Sequence, residues 1–185
     1  MTTAAPLGAH ETVERLATHC RAEQLVFAVL GDGATRIAAS NSAGVLAAAA
    51  DHAAWRARRW YELLPTAPPG PDALVGPTDA DREVLAAVRE HAVGEVELLA
   101  IAAVELLPRL LRSAEDHLAR CTAVADAPVR RILAIASTDL RADLADLLGA
   151  FERAVVEPAD RDRADRAAGA VAAIAARAGW PIAEA

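Results

Sequence analysis

Apolar residues recur along this chain with the spacing of α-helices. Between residues 10 and 30 they are separated by alternating steps of three and four, and the resulting seam consists of Val13, Leu16, Cys20, Glu23, Phe27 and Leu30. This spacing places the seam on one face of a helix that packs against a neighbour. Gly31-Asp32-Gly33 follows, and we expect these residues to weaken or end the helix.

The most apolar stretch covers residues 92–111. Its main interruptions are Glu95, Glu97, Glu105, Pro108 and Arg109. A membrane span needs about 20 predominantly apolar residues, and carboxylates near its centre are costly. We therefore predict a central bundle helix that extends from residue 79 to about residue 120. We expect Pro108 to kink or interrupt it.

Three more helices are predicted. One begins at Asn41 or Ser42, which suit a helix N-cap, and reaches about residue 64. Another has Asp126 as its cap and Pro128 in its first turn, and it continues to about residue 155. A C-terminal helix covers about residues 158–178. The proline-rich connection 65–78 either crosses one end of a bundle or forms a mobile lid.

The composition agrees with an all-α fold. Hydrophobic residues make up 54% of the chain but aromatic residues only 3%, and abundant alanine and leucine favour helix over strand. The 185 residues suffice for one domain with a substantial core. We expect a single domain, 1–185, built as an up-down bundle of four long helices plus a shorter C-terminal helix.

Charge and cysteine content narrow the class of function. All 19 basic residues are arginine, which excludes lysine Schiff-base chemistry. A net charge of −7 without a basic run argues against a nucleic-acid partner. Cys20 and Cys121 are isolated, and the amino terminus lacks the basic and apolar segments of a secretory signal. We therefore expect a cytoplasmic protein without membrane association.

Three predicted helices direct an acidic residue toward the core. Glu23, Glu95 and Asp139 each lie within an apolar seam. An unpaired buried charge is costly, so these acids require either a metal ion or cationic side chains as partners.

The second helix offers the cations. One of its faces is small and apolar, and the other, separated from it by roughly 115°, carries His52, Arg56 and Arg59. This face is either solvated or buried, and buried arginines bind carboxylates through two donors. The carboxylates available for such pairs are Glu23, Glu95 and Glu105.

Trp55 lies away from the small apolar seam of the same helix. We expect it either to enter a homodimer contact or to be partly covered by the connection 65–78. The other histidines are less informative: His10 and His117 are expected to be solvated and His19 to lie on the flank of its helix.

Two stretches of the chain carry a resemblance to a known family. DHAAWRARRWYELLP and VELLPRLLRSAEDHLARCTAVADAPVRRIL resemble actinobacterial ferritin-like proteins of no assigned activity, over roughly residues 45–155. The resemblance implies a ferritin-like bundle. In active members of that superfamily, a glutamate from each of two helices and an ExxH motif from each of the other two hold two iron ions.

Carried over to this chain, the resemblance implies an incomplete two-iron motif. The glutamate position of the first ExxH is Ala49, and the histidine position of the second is Ala142. A single iron or manganese ion is compatible with histidine and carboxylate ligands. The matching ligand positions that remain are Glu23 and Glu95 as the single glutamates, His52 from the first ExxH and Asp139 from the second.

Our leading hypothesis is a binding protein without a resident metal. It holds a small organic ligand near His52, Trp55, Arg56, Arg59 and Glu95, or it binds a partner protein. The main alternative is a non-haem metal-dependent oxidase or oxygenase that uses the four ligands above. A metal-free enzyme with Glu95 or Asp139 as general base, and an arginine holding an anion, is the third possibility.

Overall fold

The computed structural model describes residues 5–37 and 40–181, and all regular structure within these ranges is helical. Six helices pack together there. They are α1 (Ala9–Arg36), α2 (Ala43–Glu62), α3 (Asp79–His91), α4 (the consecutive segments Glu95–Ala100, Ile101–Leu106 and Leu107–Arg120), α5 (Ala127–Ala154) and α6 (Pro158–Ala178). The all-α prediction is confirmed.

Helix α1 does not end at Gly31-Asp32-Gly33, as we expected, but continues to Arg36. Gly33 is buried against Leu98 of α4, and a Cβ atom at position 33 would overlap the leucine Cδ2. The glycine therefore permits a close helix–helix approach rather than a turn.

The single helix predicted over residues 79–120 is divided in two. Helix α3 ends at His91, and α4 begins at Glu95 after an extended Gly94. Charges at the break suit two helix ends, because Arg89 and His91 lie in the last turn of α3 and acidic residues open α4. Such an arrangement complements both helix dipoles.

Pro108 does not interrupt α4. The segment Ile101–Leu106 is π-helical, and the α-helix resumes at Leu107 with the proline in its first turn. A proline lacks the N–H of a helix interior but is tolerated in a first turn. The irregular π-helical segment thus lies directly before the proline that we expected to break the helix.

The remaining boundaries agree with the prediction. Ser42 and Asp126 occupy the N-cap positions of α2 and α5, although neither side chain bonds the helix amides. Helix α6 starts at Pro158 and ends before Gly179, whose φ of 66° is left-handed. This is the conformation that glycine adopts at helix C-termini.

The proline-rich connection packs against the N-terminal half of α1. It contains a short 3₁₀ helix, Pro71–Ala73, and Leu74 and Val75 pack against the core. The Arg21 side chain of α1 donates to the Leu74 carbonyl, with 2.8 Å between Nη1 and O. These contacts attach the segment to α1, and its role as a crossing or as a mobile lid stays a prediction.

The core divides into two hydrophobic clusters. The large cluster draws on all six helices and includes Leu30, Leu46, Val84, Leu99, Leu147 and Val171. The small cluster consists of Leu16, Ala17, Cys20, Trp60, Leu64, Ala114, Val129, Leu133 and Ala136. In the part of the chain that is described, no helix is long and apolar enough to cross a membrane.

Candidate functional site

Arg56 is the centre of a buried ion network where the two clusters meet. The small residues Ala53 and Ala57 flank it on α2, and the side chain is fully buried. Its Nε lies 2.8 Å from Glu23 Oε1 on α1, and its Nη1 lies 2.8 Å from Asp143 Oδ2 on α5. One guanidinium therefore ties three helices together by charge-assisted hydrogen bonds.

His52 extends this network to the surface. Its Nδ1 lies 2.6 Å from Asp143 Oδ1, and about half of the imidazole is exposed. Asp143 itself is buried. Its two oxygens contact different partners, Oδ2 the guanidinium of Arg56 and Oδ1 the imidazole of His52. A neutral imidazole that donates from Nδ1 to this carboxylate has its basic nitrogen, Nε2, on the other side of the ring.

Burial and the neighbouring guanidinium shift the pKa of the Glu23 carboxyl in opposite directions. Burial raises the pKa of the Glu23 carboxyl, against the opposing effect of the Arg56 guanidinium, and the negative charges of Asp143 and Asp139 raise it further. Glu23 Oε2 and Arg56 Nη2 are buried and have no hydrogen-bond partner among the described residues. The network therefore retains one unused acceptor and one unused donor.

The prediction identified part of this site correctly. It placed Glu23 and Arg56 in the interior and paired Arg56 with Glu23, Glu95 or Glu105, of which the structure shows the pair with Glu23. His52, whose face we expected to be either solvated or buried, is about half exposed. The prediction chose Asp139 on α5, whereas the carboxylate that contacts Arg56 belongs to Asp143. Asp139 is half-buried and lies one helical turn earlier, so both residues fall on the same face of α5.

Glu95 is not part of the network. It accepts a hydrogen bond from Ser40 and lines a surface depression with Arg36 and Ile37 at the end of α1. Arg36 lies thirteen residues beyond Glu23 on α1, or roughly 20 Å along the helix axis. Our prediction that Glu95 shares a site with the other acids is therefore wrong.

Trp55 and Arg59 lie outside the network as well. The Trp55 side chain is exposed, and the Arg59 guanidinium sits over its ring at 5.6 Å from the centroid. Arg59 pairs with Glu62 on its own helix at 2.9 Å and is about one-third exposed. The prediction that Arg59 joins the interior acids is not supported, because its carboxylate partner is Glu62 of the same helix.

The four ligand positions implied by the resemblance do not converge. Across residues 5–37 and 40–181, no group of three or more His, Cys, Asp or Glu side chains is placed to hold a metal ion. The guanidinium of Arg56 also lies between Glu23, which is one of the four, and Asp143, and its positive charge there would repel a metal ion. These residues do not fit an iron or manganese centre.

A second polar cluster, which the sequence pattern did not lead us to expect, lies one helical turn from the first. His19 of α1 and His117 of α4 are both buried, whereas we expected His19 on the flank of its helix and His117 in solvent. His19 Nε2 lies 3.0 Å from His117 Nδ1, and the His19 ring packs against Trp60 with 4.9 Å between centroids.

Both buried histidines favour the neutral form. Burial, with smaller effects from the other histidine and Arg15, lowers the pKa of His19 to about 3. Burial likewise lowers the pKa of His117 to about 4, with Arg15 the next contributor. A signal for these residues was present, since His117 continues the apolar seam of Leu110 and Ala114 by a step of three.

Comparisons of the chain with protein families, with characterised proteins and with solved structures found no match.

Proposed function

We propose that this protein is a divergent ferritin-like bundle that acts by binding rather than by metal chemistry. The observation that carries the proposal is Arg56, which is fully buried and bridges Glu23 to Asp143. In the superfamily that the sequence resembles, carboxylates at the middle of the bundle hold metal ions. Here an arginine satisfies them instead.

The ligand-binding surface that we propose is the exposed face of α2 above Arg56. His52, Trp55 and Arg59 fall at helical spacing on this face, and the indole and guanidinium are stacked. Aromatic and arginine side chains are the residues enriched at protein interfaces and hot spots. The face suits either a small organic ligand or a partner protein.

Metal analysis tests the first half of this proposal. The protein, purified after growth with added iron and manganese, is expected to contain neither metal in a fixed ratio to the chain. Stoichiometric iron or manganese that is lost in both Glu23→Ala and Asp143→Ala would overturn it. Metal retained by both variants, and removed by mild chelation, would identify adventitious binding and leave the proposal standing.

Trp55 also supports a proposal of self-association. An exposed indole on a helix that is packed on its other face is a common anchor of a homodimer. Sedimentation at increasing concentration is expected to show a dimer that Trp55→Ala weakens. A 19.3 kDa species at every accessible concentration would contradict this expectation.

The contact between His52 and Asp143 favours a second candidate function, metal-free acid–base catalysis. A carboxylate that orients a histidine from behind is the arrangement used by general bases. Hydrolysis of p-nitrophenyl acetate provides a simple probe. A rate that falls to background in His52→Gln, but not in the matched His10→Gln, would support it; equal rates in both variants would exclude it.

A further inference from the structure

A cleft of about 860 Å³ opens beneath the proline-rich connection, away from Arg56. Its walls come from the first turns of α1, residues 65–74 of the connection, the end of α4 and the residues after α6. A volume of this size falls in the range of about 300–1,000 Å³ that holds small organic ligands. None of the residues of the Arg56 network lines it.

One side of the cleft is apolar and rigid. Pro65, Pro68, Pro69 and Leu74 of the connection line it together with Val13 of α1. Proline side chains lose little conformational entropy when a ligand packs against them. This side therefore suits the apolar body of a ligand.

Three arginines also line the cleft, Arg15, Arg21 and Arg120. Their side chains are only 16%, 16% and 23% exposed. Each is held by a fixed partner. Arg15 Nη1 lies 2.5 Å from Asp116, Arg21 donates to the Leu74 carbonyl, and Arg120 Nε donates to the Ala5 carbonyl at 3.2 Å.

These contacts orient the arginines without using all their donors. A guanidinium has five N–H groups, and the hydrogen bonds found for Arg15 and for Arg120 use one nitrogen each. Two pre-oriented guanidinium groups with spare donors form a receptor for an anionic head group, which arginine binds through paired hydrogen bonds.

Two acidic residues, Glu11 and Glu14, also line the cleft, and Glu11 Oε1 lies 4.0 Å from Arg120 Nη2. Glu11 and Glu14 are 56% and 64% exposed, far more than the arginines. Glu11 Oε2 also accepts the Gly8 N–H at 2.7 Å and so caps α1. The positive charges are thus the more enclosed ones, in a chain whose net charge is −7.

We infer that this cleft binds an organic acid, with its anionic group against Arg15 and Arg120 and its apolar body against the prolines of the connection. The inference goes beyond the proposed function, because it names a second site and a ligand class that the Arg56 network does not require. A flat or chain-like acid of roughly ten to twenty non-hydrogen atoms suits the volume.

Fluorescence of 8-anilinonaphthalene-1-sulfonate, an anionic apolar probe, tests the inference on the full-length protein. We expect one probe molecule to bind per chain and to be displaced by decanoate, but not by decanol or inorganic phosphate. Displacement by decanol would show an apolar site only, and displacement by inorganic phosphate would show a site for the anion only. Either result would overturn the inference.

Three variants locate the probe. Arg15→Gln and Arg120→Gln are each expected to weaken binding at least tenfold, whereas Arg112→Gln, an exposed position on the same helix as Arg120, should bind as the unaltered protein does. Thermal denaturation without probe identifies a variant that has lost its fold, and Arg120→Gln alone then decides. Unchanged affinity in a folded Arg120→Gln protein would contradict the inference and leave the Arg56 proposal intact.

Discussion

The Arg56 network and the pair of buried histidines accommodate buried polar groups in opposite ways, and each lies beside the hydrophobic core. The large cluster is apolar and closely packed, and Gly33 lets α1 approach Leu98. Beside the small cluster, His19 packs on Trp60 and bonds His117, and both histidines are buried with no charged hydrogen-bond partner among the described residues. Between the clusters lies the Arg56 network, in which charges are kept and paired.

This difference shows two ways to bury a titratable side chain. Pairing retains the charge but fixes the geometry of three helices, because a buried ion that loses its partner is costly. Neutralisation requires only that the pKa move away from the working pH. The first arrangement is vulnerable to mutation and the second to acid, and this distinction makes the comparison testable.

The largest effect is expected from Arg56→Met, which removes the shared cation and leaves two buried carboxylates. We expect the free energy of unfolding to fall by ~3–5 kcal/mol, measured by chemical denaturation at neutral pH. Arg58→Ala is the matched control, since Arg58 lies on the same helix and is exposed. A loss at position 56 as small as that at position 58 would show that the network contributes no stability.

Acid is expected to destabilise the small cluster next. The unfolded histidines take up protons below a pH of about 6.5, but the lowered pKa values of about 3 and about 4 keep the folded His19 and His117 neutral to lower pH. Their contribution is complete above pH 6.5 and is lost as the pH falls. For the pair we expect ~3 kcal/mol between pH 6.5 and 5.

A His19→Gln/His117→Gln protein should lose most of this pH dependence, whereas His10→Gln should keep it, because His10 is exposed. Burial raises the pKa of the Glu23 carboxyl, so the titration of Glu23 makes the folded state more stable, not less, as the pH falls. The histidine double variant separates this effect from that of the histidines. An unchanged slope of stability against pH in the double variant would mean that other groups govern acid unfolding.

Close packing in the large cluster gives a smaller effect. Gly33→Ala should cost ~1–2 kcal/mol, because the new methyl group displaces the buried Leu98 side chain. Gly31→Ala should instead add about 0.5–1 kcal/mol, since a Cβ atom there meets nothing within 4 Å and alanine favours helix. Effects of the same sign at both positions, measured by thermal denaturation, would argue against close packing of α1 on α4.

The smallest effect is expected at Arg59. Its ion pair with Glu62 and its position over Trp55 are at the surface, where such contacts contribute about 0–1 kcal/mol. Arg59→Ala should therefore resemble Arg58→Ala in chemical denaturation. A loss comparable to that of Arg56→Met would place Arg59 in the interior network after all.

Most helix boundaries could be predicted because local signals fix them. Asp126 with Pro128, and Gly179 after α6, act within one turn of the helix that they delimit. The division at Gly94 was missed because the apolar pattern continues through it, and only the charges around it mark two ends. Gly33 misled the prediction, because its role depends on Leu98, sixty-five positions later in the chain.

The types of residue in the candidate site could be predicted, but not which acidic residue of α5 contacts Arg56. Burial of Glu23 near arginines follows from seam positions alone. The choice between Asp139 and Asp143 does not, since both lie on one helix face and only the relative height of α2 and α5 decides which meets Arg56. His117 was misjudged because its sequence neighbours Glu115, Asp116 and Arg120 are charged, although the residue itself continues the apolar seam of Leu110 and Ala114.

The π-helical segment Ile101–Leu106 has a consequence for how the chain is compared with others. A π-helical turn contains one more residue than an α-helical turn. Each added residue rotates the positions that follow it by about 100° around the helix axis. The part of α4 that carries His117 is therefore in a different phase from the part that carries Leu98. An alignment that assumes an uninterrupted helix loses its register at this point, and a one-residue gap inside α4 restores it.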